Sequence, residues 1–146
     1  MQFTPRYFRL ILKISRNHAK IVDILINWRW FLNTLEIARQ LVDTLDEKKG
    51  EDIVLIDIHE VASFTDYFII CSGTSDRMLD SLANAVIEKA HESAEVNKRR
   101  AEGQASSGWL LVDLDDIIVH LFSPDQREYY QLEQLWERGK VLLRMQ

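Results

Sequence analysis

The 146 residues hold one cysteine, Cys71, so the chain cannot close a disulfide on itself and has no cysteine pair for a zinc site. A disulfide-stapled scaffold is excluded, and the expected setting is a reducing one inside a cell. Long apolar runs are missing as well. The longest, Tyr67 to Cys71, has five residues, whereas a bilayer-crossing helix needs about 20. Positive charge is scarce over most of the length. Residues 34 to 146 carry twelve basic groups against twenty-two acids, a net of −10, while residues 1 to 33 carry Arg6, Arg9, Lys13, Arg16, Lys20 and Arg29 against Asp23, a net of +5. The chain is an acidic body behind a basic leader. Such a body repels phosphate backbones at long range, so it suits a basic protein partner better than nucleic acid.

What is present is the makings of one α/β domain: 47% hydrophobic and 28% charged residues are ordinary globular proportions. Asn33 and Glu36 have capping-box spacing. Leu35, Ala38, Leu41, Val42 and Leu45 then repeat at helical intervals up to the stop signal Lys48-Lys49-Gly50, predicting a helix over 34–48. Residues 52–58 and 67–71 are apolar without alternation, as strands covered on both faces are. Ser72-Gly73-Thr74-Ser75-Asp76 opens a second helix running to about 93 through Leu79, Leu82, Ala83, Val86 and Ala90. The polar stretch 93–108 has room for a short edge strand near 98–102. Strands are expected at 109–114 and 117–122, and Ser123-Pro124 caps a last helix leading into Tyr129, Leu132 and Trp136. The order is α-β-β-α-β-β-α, a mixed sheet with helices packed on it.

The leader has its own pattern. Tyr7, Ile11, Ile14, His18, Ile21, Leu25, Trp28, Leu32 and Leu35 recur at alternating steps of four and three, as on one seam of a helix. So many of its residues are apolar that a stripe of this kind also arises by chance, and a variable extension explains it equally well. A basic amphipathic leader also fits a transit peptide, which would place the chain in a mitochondrion or chloroplast instead of the cytoplasm.

Few residues suggest catalysis. The turn Ser72-Gly73-Thr74-Ser75, with Asp113 and Asp115 as a carboxylate pair, has the ingredients of a magnesium-dependent nucleotidyltransferase, but a helix and a loop separate them in sequence. A capped helix start and an acidic hairpin turn explain the same residues. No histidine has a partner at metal-binding spacing, and no cofactor is indicated. Cys71 reads as a small core residue.

The hairpin is more informative. A two-residue turn at Asp115-Asp116 pairs Leu114 with Ile117, Asp113 with Ile118, Val112 with Val119, Leu111 with His120, Leu110 with Leu121 and Trp109 with Phe122. One face, Leu110, Val112, Leu114, Ile117, Val119 and Leu121, is aliphatic and is expected to meet the helices. The other mixes Trp109, Leu111, Asp113, Ile118, His120 and Phe122. Aromatic anchors with acids at their rim suit a protein-binding surface, with Trp109 exposed and His120 adding a pH dependence through its charge, while a second buried face covered by another helix explains the same residues equally well.

Six motifs in fixed order carry a resemblance. They are Asp52-Ile53-Val54 after the Lys-Lys-Gly helix end; Asp66-Tyr67-Phe68-Ile69-Ile70-Cys71-Ser72-Gly73-Thr74-Ser75-Asp76-Arg77; Glu102-Gly103; Trp109-Leu110-Leu111-Val112-Asp113; Val119-His120-Leu121-Phe122; and Arg127-Glu128-x-Tyr130-x-Leu132-Glu133-x-Leu135-Trp136. Together, over about residues 34 to 137, they resemble the ribosomal silencing factor family, also called Iojap-like. The resemblance implies a nucleotidyltransferase-like α/β fold without that enzyme class's active site. It further implies binding to the fourteenth protein of the large ribosomal subunit, so that the small subunit cannot join and translation is held down when nutrients are scarce. Little direct contact with nucleic acid is expected, and a homodimer is compatible with this reading. Trp109, Leu114 and the neighbouring acids Asp113, Asp115 and Asp116 match the family's contact region; Arg77, Glu102 and His120 stand in its motifs.

Overall fold

The computed structural model describes residues 19–94 and 99–146. The chain forms α1 (Ala19–Glu47), β1 (Glu51–Asp57), β2 (Tyr67–Ser72), α2 (Asp76–Ala94), β3 (Glu102–Gln104), β4 (Trp109–Asp113), β5 (Ile117–Phe122), two short helices α3 (Pro124–Tyr130) and α4 (Leu132–Leu135), and β6 (Lys140–Met145). The six strands make one sheet in the order β3-β4-β5-β2-β1-β6. Only β2 and β5 pair in parallel. The expected mixed α/β architecture is what forms.

Burial follows the predicted patterns. All six residues of β2 are buried, as befits a strand with neighbours on both sides and cover on both faces. The hairpin adopts the expected register from Trp109↔Phe122 to Asp113↔Ile118, and the Leu114 amide closes the turn on the Ile117 carbonyl at 2.9 Å. Leu110, Val112, Leu114, Ile117, Val119 and Leu121 join one core with Ala38, Leu41, Val42 and Leu45 of α1 and Leu79, Leu82 and Val86 of α2. The aliphatic face therefore meets both long helices. Cys71 lies fully buried in that core, where loss of solvation pushes its thiol up to about 12 and leaves it an inert packing residue.

Three expectations need correction. The first helix does not begin at 34: it runs unbroken from Ala19, so Asn33 and Glu36 sit inside it, where the amides they would have capped already have helical partners. It ends at Glu47, and Lys49 takes the left-handed turn at φ 68° that the glycine was expected to supply. Gly50 serves a different purpose. A Cβ there would stand 2.5 Å from Cys71 Sγ and 3.0 Å from the Leu45 carbonyl, so a side chain would push β1 off the helix. Second, the edge strand is Glu102–Gln104, a few residues later than expected, with Lys98 outside the described residues. Third, the sequence pattern predicts no strand after the final helix, yet β6 follows it and pairs antiparallel with β1 from Ile53↔Met145 to Asp57↔Lys140. On the leader seam, Tyr7, Ile11, Ile14 and His18 lie outside the described residues, and Leu25 is 63% exposed.

The body's hold on α1 runs through Thr34, Ala38, Leu41, Val42 and Leu45, all buried. Deleting residues 1–32 should therefore leave a folded body, with Asn33 and Glu36 then free to cap the shortened helix. The expected result is a single cooperative thermal transition by circular dichroism; a truncated protein without one would show that the arm packs on the body.

Candidate functional site

The opposite face of the sheet is covered differently. Val54 and Ile56 of β1, Phe68 and Ile70 of β2 and Phe122 of β5 form a second, smaller core, with Trp109, Ile118, Leu132 and Trp136 packed against it. The cover comes from α3 and α4 and the turn after them. Ser123 accepts the Gln126 amide, Pro124 takes the first helical position as expected, and Gln131, at φ 45°, breaks the segment into two. Gly108, at φ 78°, lets this segment come close to the start of β4: a Cβ there would meet Ser123 Oγ at 2.5 Å and Gln126 Cγ at 2.6 Å.

Arg127 locks this cover in place. Its guanidinium donates to the Asp52 carbonyl at 2.6 Å, to Ser72 Oγ at 2.9 Å and to Glu133 Oε1. Arg144 of β6 closes the cluster, at 3.1 Å from Glu133 and 3.0 Å from Asp52. Burial alone would raise the Glu133 carboxyl, but the hydrogen bonds from Arg127 and Arg144 outweigh it and hold the group below its ordinary range.

On this face Trp109 is half-buried, not largely exposed as expected. Its ring stacks on Phe122 with centroids 4.9 Å apart, packs against Tyr130 at 4.7 Å, and its Nε1 donates to His120 Nδ1 at 3.3 Å. His120 is 4% exposed, and burial lowers its pKa to about 4. The bond from Trp109 places the imidazole proton on Nε2, which has no hydrogen-bond partner among the described residues. The expectation that His120 tunes binding by its charge is thus overturned: at neutral pH it is an uncharged support under Trp109.

The other residues singled out from sequence divide. Trp109, Leu111, Asp113 and Ile118 are half-exposed on one open patch of the hairpin. At its end, Asp113 Oδ1 accepts the Asp115 amide at 2.9 Å, and Arg99 bridges the Asp113 carbonyl at 3.0 Å and Asp115 Oδ2 at 2.6 Å. Asp115 therefore carries its own counter-ion, a pairing that sequence spacing did not suggest. Asp116 is half-exposed, and its carbonyl accepts the amides of Asp66 and Tyr67 at 3.1 Å. Glu102 is exposed on the edge strand β3, opposite Leu111. Leu114 is a core residue on the helix-covered side, because the period-two alternation that exposes Leu111 and Asp113 buries it. Arg77 lies in the first turn of α2, beside Thr44, Glu47 and Asp80 on the helical layer, so it does not join the patch.

The arrangement does not assemble a nucleotide site from Gly73, Asp113 and Asp115. Gly73 follows the Ser72↔Phe122 pair and donates to the Phe122 carbonyl at 2.9 Å, whereas Asp113 sits level with Ile118 and Phe68. At about 3.3 Å per residue the two ends are about 16 Å apart along the strands. Among the described residues no group of three or more His, Cys, Asp or Glu side chains is arranged to hold a metal ion.

The family model described as ribosomal silencing factor during starvation matches residues 32–145. The chain is 36% identical over 105 residues to a ribosomal silencing factor of Bacillus subtilis, covering 72% of this chain and 88% of that one. It is 43% identical over 102 residues to one of Haemophilus influenzae, covering 70% and 99%. A crystal structure of a Chromobacterium violaceum protein superposes with a TM-score of 0.66 at 36% identity, covering 70% of this chain and 85% of that one.

His120 gives this site a measurable signature in stability. An unfolded histidine binds its proton near pH 6.5 and the folded one near 4, so stability is fully present above 6.5 and drains away as the pH falls toward 4. The loss attributable to this group is about 3 kcal/mol. Denaturant titrations at pH 7 and pH 4.5 should show a steeper acid loss in the parent than in His120→Gln; equal losses would mean that the ring is not held neutral.

Proposed function

This chain belongs to the ribosomal silencing factor family, and we propose that it docks on the large ribosomal subunit through the open patch of the β4–β5 hairpin. The contact is the fourteenth large-subunit protein, and the mechanism is steric: the docked body occupies the space the small subunit needs, so joining fails and translation falls under nutrient limitation. The observation that carries this reading is the half-covered outer face, where Trp109, Leu111 and Ile118 present apolar area beside Asp113 and Glu102. Its composition suits a basic protein partner, with aromatic area to bury and carboxylates at the edge. Nucleic acid contributes little to the contact, since the body carries a net charge of −10. We place its action in the cytoplasm, a reading supported by the bacterial origin of the relatives named above.

The protein needs no catalytic step for this role, and we infer that it has none. Asp113 and Asp115 are occupied with the turn and with Arg99, and the Gly73 turn is at the far end of the sheet. Asp113→Asn with Asp115→Asn should leave nothing to abolish in an assay for magnesium-dependent transfer from nucleoside triphosphates; turnover in the parent that disappears in the double variant would favour an enzyme.

Binding is tested by sedimentation with purified large subunits. Trp109→Ala should lose at least about thirtyfold in affinity, the cost of removing an aromatic anchor worth about 2 kcal/mol. It also gives up packing on Phe122 and Tyr130, so it should melt earlier than the parent. Leu111→Asp separates the two effects. It should keep the parent's melting temperature within a few degrees and still fail to sediment with the subunit. Undiminished binding by both variants would remove the hairpin patch as the docking surface.

A further inference from the structure

The outer face carries more exposed aromatic surface than the hairpin patch uses. Seven rings form an unbroken chain across it. Tyr129 meets Tyr130 at 5.0 Å, Tyr130 meets Trp109 at 4.7 Å, and Trp109 meets His120 at 5.9 Å. His120 then meets Phe68 at 4.7 Å, Phe68 meets Trp136 at 5.4 Å, and Trp136 meets Phe64 at 5.7 Å. The middle of this band is buried and its ends are not: Tyr129 is 77% exposed and Phe64 58%. Most of an aromatic ring left in water at the end of a supported stack is area held ready for a partner.

The Tyr129 end carries exposed acids. It lies on α3, whose Asp125 and Glu128 are exposed, while its one cation, Arg127, is turned inward onto Asp52, Ser72 and Glu133. The outward surface of α3 is thus two carboxylates around a tyrosine. That combination repels phosphate and attracts lysine and arginine. It repeats, one ring away from Trp109, the chemistry of the hairpin patch.

We propose that Tyr129, flanked by Asp125 and Glu128, is a second anchor for the same basic protein surface that Trp109 engages, so that docking extends from the hairpin onto α3. This rests on the hairpin reading given above and names a further residue of that interface. Tyr130 is the link: half-exposed and packed on both rings, it holds Tyr129 at a fixed distance from Trp109. A rigid aromatic with two rotatable bonds loses little conformational freedom on binding, which is why such residues dominate contact energies.

The test is sedimentation with purified large subunits. Tyr129→Ala should bind at least about tenfold more weakly at an unchanged melting temperature, while Tyr129→Phe keeps most of the affinity because the ring is what binds. Phe64→Ala, at the other end of the band, should bind like the parent. Asp125→Asn with Glu128→Gln should make binding less sensitive to added salt. Parent-like binding by Tyr129→Ala, alongside loss of binding by Leu111→Asp, would overturn this second anchor and leave the hairpin patch standing; parent-like binding by both would overturn the hairpin reading and the anchor with it. An early melting transition in Tyr129→Ala would also overturn it, since the ring would then be a packing residue.

Discussion

A six-stranded sheet has two faces to keep dry, and both long helices of this chain lie on the same one. Everything on the other face follows from that imbalance. Its cover is two short helices and a turn, enough to bury Phe68, Ile70 and Phe122 but not to close over Leu111, Asp113 and Ile118. A sheet face that is half core and half surface is an unusual thing to leave exposed, and its edge is where the tryptophan stands.

Holding a thin layer on a sheet requires polar fasteners as well as apolar contact. Arg127 supplies one by reaching from α3 to the first residues of β1 and the last of β2, and Arg144 shares the same carboxylates from β6. Arg99 supplies another at the hairpin turn. These pairings consume cations. Asp125, Glu128 and Glu102 stay exposed on the outer face. Arg99, Arg127 and Arg144 are paired with Asp115, Asp52 and Glu133, so these charges cancel within the structure and add no net charge to the face.

His120 shows how the same face combines stability with presentation. A histidine in a strand otherwise made of isoleucine, valine, leucine and phenylalanine is expensive to charge, so it stays neutral and offers Nδ1 to the indole of Trp109. The ring then sets the tryptophan's orientation without competing for protons in the neutral range. From sequence it looked like a titrating member of the interface. The physical reason it is not lies in Phe68 and Phe122, whose rings pack around it from neighbouring strands and remove its water.

The amino-acid order by itself determined what local periodicity can determine. The unalternating run at Tyr67 to Cys71 marked a central strand, and the Asp115-Asp116 turn set every pair of the hairpin, because a two-residue loop leaves one register and the pleat then assigns each side chain a face. The six motifs also carried the family. Tertiary structure alone decided how each face is covered. It added β6 to the sheet through a ladder joining residues almost ninety positions apart, and carried the first helix straight through a capping box. It also paired Asp115 with Arg99 and packed Tyr130 beside Trp109. Period and turn chemistry act over a few residues; cover, desolvation and charge pairing depend on groups that meet only when distant segments close on one another, so they are absent from any local window of the chain.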